Sequence, residues 1–370
     1  KITFTNWNSG YDGQRITTQV VRDVGAWYHI VFVYDSGNGT PADRIKMYLN
    51  GVQITAFTTE GNPDADQDSN FNKSSPQCEF HLGSHFGRDS GRWKGYMAEV
   101  AYVDGTVYAA SDFGEFDEDS PTIWKPKDFS GDITFGTNGL YLDFADSANL
   151  GADVSGNGND LTEANFTAAD QGTDSPTNNF CTMNPLDNFY VAATWSEGNN
   201  QLVIANGIKT YATSTMGVSA GKWYWETKMS ANTGSDTDEQ SVGIADRVSD
   251  SAAKDSYAVD YPANYIYQSQ GRFVESETTN TNSCPDSYTT GDIMMVALDL
   301  VNDKLYFGKN GTWQCSGDPT SGATGTGAED IKGTADADTS GFYFPMVSSD
   351  TTSRGATWQF NFGGCSAFDV

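Results

Sequence analysis

The 370-residue chain is long enough for two domains, each with its own hydrophobic core, and carries 49 acidic against 21 basic side chains, a formal net charge of −28. A surface so negative repels phosphate backbones and anionic lipid headgroups, which argues against nucleic acid and membrane insertion as partners. With 39 glycines, 13% aromatic residues and no long periodic Leu/Ala/Glu/Lys segments, the composition favours short strands and many turns, and hence an all-β chain.

The first block, 1–165, alternates apolar strands with polar turns. Trp27-Tyr28-His29-Ile30-Val31-Phe32-Val33-Tyr34 predicts a strand over 27–34, and Arg44-Ile45-Lys46-Met47-Tyr48-Leu49 a second over 44–49. Asn50-Gly51 then leads into Val52-Gln53-Ile54, the strongest short-range hairpin signal, because both residues tolerate positive φ. A polar loop from Thr58 to Gln77 precedes Phe80-His81-Leu82-Gly83. Further strands are expected over 95–103 and 139–144. The order W-Y-H-I-V-F-V-Y-D, I-K-M-Y-L-N-G-V, H-L-G and G-Y-M-A-E-V-A-Y-V-D-G resembles the second half of a laminin-G or pentraxin-type concanavalin A-like jelly roll. The family's N-terminal strands are reduced here, and the chain opens on Lys1 in a strand, so a longer parent chain is expected.

Residues 166–190, with Pro176 and Pro185 among Asn, Thr and Asp, read as a linker. The run Y-L-D-F … L-G-A-D-V-S-G-N-G-N-D-L followed by D-S-P-T-N-N-F-C-T-M-N-P-L resembles a junction in virion proteins of marine tailed bacteriophages, where a concanavalin-like module hands over to a SPRY-like one. From 191 to 370, G-K-W-Y-W-E, V-G-I-A, G-D-I-M-M-V-A-L-D, L-Y-F-G-K-N-G-T-W, F-Y-F-P-M-V and F-N-F-G follow the order of a SPRY (B30.2-like) domain. Strands are expected near 222–229, 241–245, 293–299, 304–308 and 357–362. The two resemblances imply two tandem antiparallel β-sandwiches, a jelly roll and then a bent sandwich.

No catalytic constellation emerges. His81 and His85 are four apart but in a strand-then-turn context, not on one helix face. Glu99 and Glu226 each stand alone on their strands, without the tight acidic motif of glycan hydrolases that share the concanavalin-like sandwich. The five cysteines, Cys78, Cys181, Cys284, Cys315 and Cys365, are widely spaced and read as free thiols, although Cys284 and Cys315 could pair across one hairpin-rich region. Asp153-Val154-Ser155-Gly156-Asn157-Gly158 opens as a calcium loop does, but Ala164 stands where the closing bidentate Glu belongs. A plain Asx-rich turn is the preferred reading there, with Asp153 and Asn157 the candidate calcium ligands, and no other cofactor is expected.

Trp27, Trp223, Trp225 and Trp358 are expected in the cores. Aromatic rings in loops can stack on sugars, with neighbouring polar groups bonding the hydroxyls. On that ground the candidate ligand-binding residues are Arg88 and Trp93 (with Trp7 and Tyr11) in the first domain, and Tyr265, Tyr267, Arg272 and Trp313 in the second. With no catalytic constellation found, the resemblances imply a non-catalytic protein of a virion surface (fibre, spike or decoration) that binds a host-envelope glycan or protein through sandwich loops. Because one shallow site binds weakly, display as a symmetric oligomer is expected, with a homotrimer as the fibre-like form. The rivals are a structural subunit that contacts only other virion proteins, a secreted bacterial adhesin, and a glycan hydrolase.

Overall fold

The computed structural model describes the chain except residues 8–9, 72–81, 83–94, 190–192, 206–209, 234–239, 247–263, 276–277, 281–284, 333–339, 350–354, 365 and 369–370. It folds as two compact units, Lys1–Asn179 and Phe180–Val370. The stretch expected as a linker over 166–190 is therefore divided between them, and strand formation in the second unit starts within it. Among the described residues every strand pairing is antiparallel, and no helix is long and apolar enough to cross a membrane.

The strands of the first unit are β1 (Thr3–Trp7), β2 (Tyr11–Thr17), β3 (Ile30–Tyr34), β4 (Ile45–Leu49), β5 (Val52–Gln53), β6 (Phe57–Gly61), β7 (Val100–Tyr102), β8 (Gly114–Phe116), β9 (Trp124–Pro126) and β10 (Leu140–Leu142). They form sheets β1-β2-β6 and β3-β4-β5 and the pairs β7/β10 and β8/β9. Alternation dictates the core: Ile45, Met47 and Leu49 turn to one face of β4 and bury against Ile2, Phe4 and Ile54. A second cluster gathers Phe129, Ile133 and Phe135 against Ala101 and Tyr141.

Three expected strands are shorter than the sequence suggests. Trp27, Tyr28 and His29 precede β3, and Trp27 is half-buried, donating its Nε1–H to Asp174 Oδ1 at 2.9 Å. Glu99 takes φ 50° just before β7, and Phe144 φ 55° after β10; that left-handed backbone interrupts the ladder.

Arg15 faces inward on β2 and is buried. Its guanidinium reaches the carbonyls of Gly61 at 2.8 Å, Gln14 at 3.0 Å and Ala42 at 3.3 Å, and Asn62 Oδ1 at 2.6 Å, tying β2 to the chain after β6. Burial lowers its pKa, against the opposing charge of Glu60. A buried cation held this way is a structural tie between segments.

The second unit contains β11 (Met183–Phe189), β12 (Thr194–Ser196), β13 (Gln201–Ile204), β14 (Thr210–Ser214), β15 (Lys222–Asn232), β16 (Gln240–Ala245), β17 (Tyr265–Gln268), β18 (Arg272–Glu275), β19 (Thr278–Asn280), β20 (Ile293–Asp299), β21 (Lys304–Lys309), β22 (Thr312–Trp313), β23 (Glu329–Asp330), β24 (Phe344–Ser349) and β25 (Ala356–Asn361). One sheet runs β11-β14-β24-β16-β17-β18-β19; the other runs β12-β13-β25-β15-β20-β21-β22, with β23 on β21. Their facing sides share one core that includes Trp225, Met229, Val242, Ile244, Val296, Phe307, Trp358 and Phe360.

The seven-stranded sheet is buried on its other side too, where Tyr211, Ala245, Ile266, Val274 and Met346 form a separate cluster. Every residue of β16 is consequently buried, Gln240 and Ser241 included. Cys315 is disulfide-bonded, with its partner outside the described residues, which corrects the expectation of five free thiols. Cys181 is free, and burial pushes its thiol pKa up.

Candidate binding surfaces

Two of the expected ligand-binding tyrosines belong to the core. Tyr265 and Tyr267 lie on β17, 2% and 0% exposed, because their strand pairs with β16 on one side and β18 on the other. The Tyr265 hydroxyl accepts the Lys332 N–H at 2.9 Å, and the Tyr267 ring packs among Phe273, Tyr288 and Phe307 while its hydroxyl donates to the Asp286 carbonyl. Neither ring has a face left for a ligand. Arg272 is exposed at the first position of β18, where the neighbouring Phe273 is buried in the core. Arg88 and Trp93 lie outside the described residues. Trp7 and Tyr11 are 53% and 65% exposed and meet edge-on at the β1–β2 hairpin, with ring centroids 4.7 Å apart.

Trp313, half-buried on β22, stands edge-on to Tyr224 of β15 at 6.2 Å between centroids. On β15 the alternation buries Trp225 in the core and turns Tyr224 and Glu226 to the outer face of the eight-stranded sheet. Tyr224 is 51% exposed, and its hydroxyl donates to Glu226 Oε1 at 2.6 Å. Glu226 Oε2 accepts from Asn361 Nδ2 at 3.3 Å, across the register that pairs the two residues. Desolvation first, then the bond to Glu226 and its charge, raise the Tyr224 pKa and keep it a neutral phenol.

A different surface lies at the end of this sandwich where β15 starts. Trp223 is 49% exposed, against the expectation that it is core, because as the second residue of β15 it stands beyond the packed layers around Trp225. The Leu300 N–H donates to the Gly221 carbonyl at 2.9 Å, and Val218 and Tyr343 exchange two backbone bonds of 2.9 Å. These bonds bring the 217–223, 299–303 and 341–343 segments to one end, where Val301 (68%) and Phe342 (46%) are also exposed. Asp299 shapes the middle loop: its carboxylate accepts from the Val301 N–H at 3.0 Å and from Asn302 Nδ2 at 2.8 Å, and it pairs with Lys222 Nζ at 2.8 Å. Burial opposes ionisation there, but these partners outweigh it and hold the Asp299 pKa below the usual carboxylate value.

In the first unit the Asp153 carboxylate accepts the N–H groups of Tyr141, Ser155 and Asn159, each at 2.9 Å, together with the Ser155 hydroxyl at 2.9 Å. Asn157 turns its amide N–H groups to the carbonyls of Gly136 and Gly139. These contacts close the turn and fasten it to β10 and the residues before it. Partial burial acts against ionisation, but the four donors prevail and the Asp153 pKa is lowered. Among the described residues, no group of three or more His, Cys, Asp or Glu side chains is arranged to hold a metal ion.

His29 accepts the Trp124 Nε1–H on Nδ1 at 3.1 Å, and burial lowers its pKa, so it is engaged in packing. His81 and His85 lie outside the described residues. Glu99 is exposed; partial desolvation and then the charges of Asp128 and Asp143 raise its pKa.

Comparison with known proteins agrees with this architecture. Residues 1–111 match the laminin-G-type family of the concanavalin A-like lectin/glucanases superfamily, and residues 222–364 match the SPRY domain family. Domains of these two kinds are typically non-catalytic binding or interaction modules. No curated protein matches the chain. Among solved structures, the SPRY domain of human HERC1 is similar at 18% identity, covering 51% of this chain and 99% of that one, with a TM-score of 0.36. Stonustoxin is similar at 16% identity, covering 49% of this chain and 27% of its own, with a TM-score of 0.32.

Proposed function

We propose that this chain is a non-catalytic binding protein of a virion surface, of the fibre, spike or decoration kind found on tailed phages, and that it engages a host-envelope glycan or protein through the loop end of its second sandwich. The observation that carries the binding reading is the convergence of Trp223, Val301 and Phe342, three large apolar side chains 46–68% exposed, at one end of one sandwich. Large apolar side chains left open together on a chain this acidic mark a contact surface. The loop that carries Val301 is braced by buried Asp299, so the surface is presented preformed. The virion setting rests on the resemblance of the 139–190 junction to phage virion proteins.

A single shallow surface binds weakly, so display in several copies, a trimer in the fibre-like form, raises apparent affinity by a factor on the order of 10²–10⁴. The test is adsorption of the assembled full chain to susceptible host cells, alongside Val301→Ser and Phe342→Ser variants. Adsorption by the unaltered protein and its loss in both variants is the expected result. Folded, multimeric protein that adsorbs to no host, with the loop end buried between subunits on the particle, would instead identify a structural virion subunit.

A further inference from the structure

We propose that the outer face of the eight-stranded sheet carries a carbohydrate site, separate from the loop end. There a neutral, hydroxyl-rich pyranose seats on Tyr224 and Trp313, with Glu226 and Asn361 as its hydrogen-bond partners. The face is built by register. Glu226 lies opposite Met295 on β20 and Asn361 on β25; Met295 lies opposite Gly308 on β21; and Gly308 lies opposite Trp313. These five, with Tyr224 two positions before Glu226 on β15, therefore share the face turned away from the core.

Gly308 makes the floor low. A Cβ there would stand 3.1 Å from both Met295 Sδ and Trp313 Cε3, so a larger residue would lift the indole off the strand. The result is two aromatic rings set at 71° over a thioether floor, with one ring half open to solvent. The apolar face of a sugar ring stacks on such a surface, and a flat ring gives that contact at little conformational cost.

The polar partner decides the class of ligand. Glu226 is 9% exposed, yet the bonds it accepts from Tyr224 and Asn361 come from neutral donors, a hydroxyl and an amide. An ionised carboxylate is acceptor-only, with about four lone-pair sites, so it can take further donors, and sugar hydroxyls supply them. The same carboxylate, on a chain with a net charge of −28, repels sialylated, sulfated or phosphorylated glycans. Lys228, the next residue on this face, has its ammonium over the Phe368 ring at 5.7 Å rather than toward Glu226.

The experiment uses the full chain, biotinylated and tetramerised on streptavidin. It is applied to immobilised neutral oligosaccharides of glucose, galactose and mannose beside sialylated and sulfated ones. Retention on at least one neutral oligosaccharide is expected, with none on the anionic set. Tyr224→Ala and Trp313→Ala should each weaken it about tenfold or more, and Glu226→Gln should weaken it while keeping a side chain that can still bond Asn361. Tyr224→Phe, which keeps the ring and removes one donor to Glu226, should retain most of the binding. Host adsorption reads the loop end through Val301→Ser and oligosaccharide retention reads the sheet face through Trp313→Ala, so failure at the one and failure at the other are distinguished. Absence of binding to every neutral oligosaccharide, wild-type retention in folded Tyr224→Ala and Trp313→Ala, or salt-sensitive capture of a cationic peptide in its place would each overturn the proposal.

Discussion

Each unit has an Asn-Gly hairpin turn of the same backbone, and the two turns give opposite answers to the same mutation. Asn50 and Gly51 have φ 48° and 75°, and Asn310 and Gly311 have φ 49° and 81°, the two left-handed residues of a two-residue hairpin loop. In both, the asparagine N–H and Oδ1 bond the backbone of one facing residue, His29 just before β3 in one case and Ile293 of β20 in the other. Only the surroundings differ. A Cβ on Gly311 meets nothing within 4 Å, whereas one on Gly51 would lie 2.1 Å from Trp124 Cζ3. Trp124 cannot simply step back, because Gly114 is pressed against the indole as well: a Cβ there would lie 2.6 Å from it. Gly311→Ala thus carries only the left-handed backbone cost of about 1–2 kcal/mol. Gly51→Ala carries that cost plus an overpacking term of about 1–3 kcal/mol, since the ring must shift by about 1.5 Å to regain ordinary carbon contact and strains its bond to His29. The sum is about 2–5 kcal/mol. Urea unfolding followed by hydrogen exchange reads the two sandwiches separately, so each variant is scored in its own unit. Adding Trp124→Ala to Gly51→Ala should recover the overpacking part, giving a cost below the sum of the two single changes. Equal destabilisation at Gly51 and Gly311 would refute the reasoning.

Two further outcomes are expected. Because the Trp124 Nε1–H needs an unprotonated Nδ1 and burial holds the His29 pKa below 6.5, the unfolded chain takes up a proton that the folded one refuses. The first unit therefore loses stability as pH falls below about 6.5 and stops losing it below the folded pKa. Urea midpoints of wild type and His29→Gln between pH 7.5 and 5.0 check this, and an unchanged slope in the variant would assign the effect elsewhere. Asp153→Ala removes a four-donor acceptor and should cost the first unit about 2–4 kcal/mol in urea. The thermal midpoint of the wild type should be the same in excess calcium as in chelator, and a rise with calcium would show that the turn takes the ion after all.

Alternation made the cores readable. Ile45, Met47 and Leu49 on β4, and Trp225 on β15, point where period-two patterning puts them. What alternation cannot show is whether the second face of a strand is covered. Ser241-Val242-Gly243-Ile244-Ala245 reads as a strand, but nothing local in it announces that Ser241 and Ala245 are buried as fully as Val242. That depends on the outer cluster of Tyr211, Ala245, Ile266, Val274 and Met346, drawn from five strands, which comes together only in the tertiary structure. Arg15 is a similar case: an inward-facing cation on β2 is explained only by carbonyls 27 and 46 residues away.

The binding surfaces follow from the same limit, and they separate two meanings of an aromatic residue. Tyr265 and Tyr267 sit in a short segment between Pro262 and Gly271, which suggests a loop, yet pairing with β16 and β18 commits both rings to the core. Trp223 and Trp225 look equivalent in the sequence and share a strand face, but one lies under the facing sheet and the other beyond its rim. Position along the strand relative to the packed layers decides between core and contact, and that position is set by the partner sheet. Tyr224 could have been found: an acidic residue two positions on, Glu226, marks the outer face of β15, so the tyrosine between two tryptophans has to point outward with it. Its pairing with Trp313 lies one step further away, because it requires β20 and β21 to intervene in register between β15 and β22.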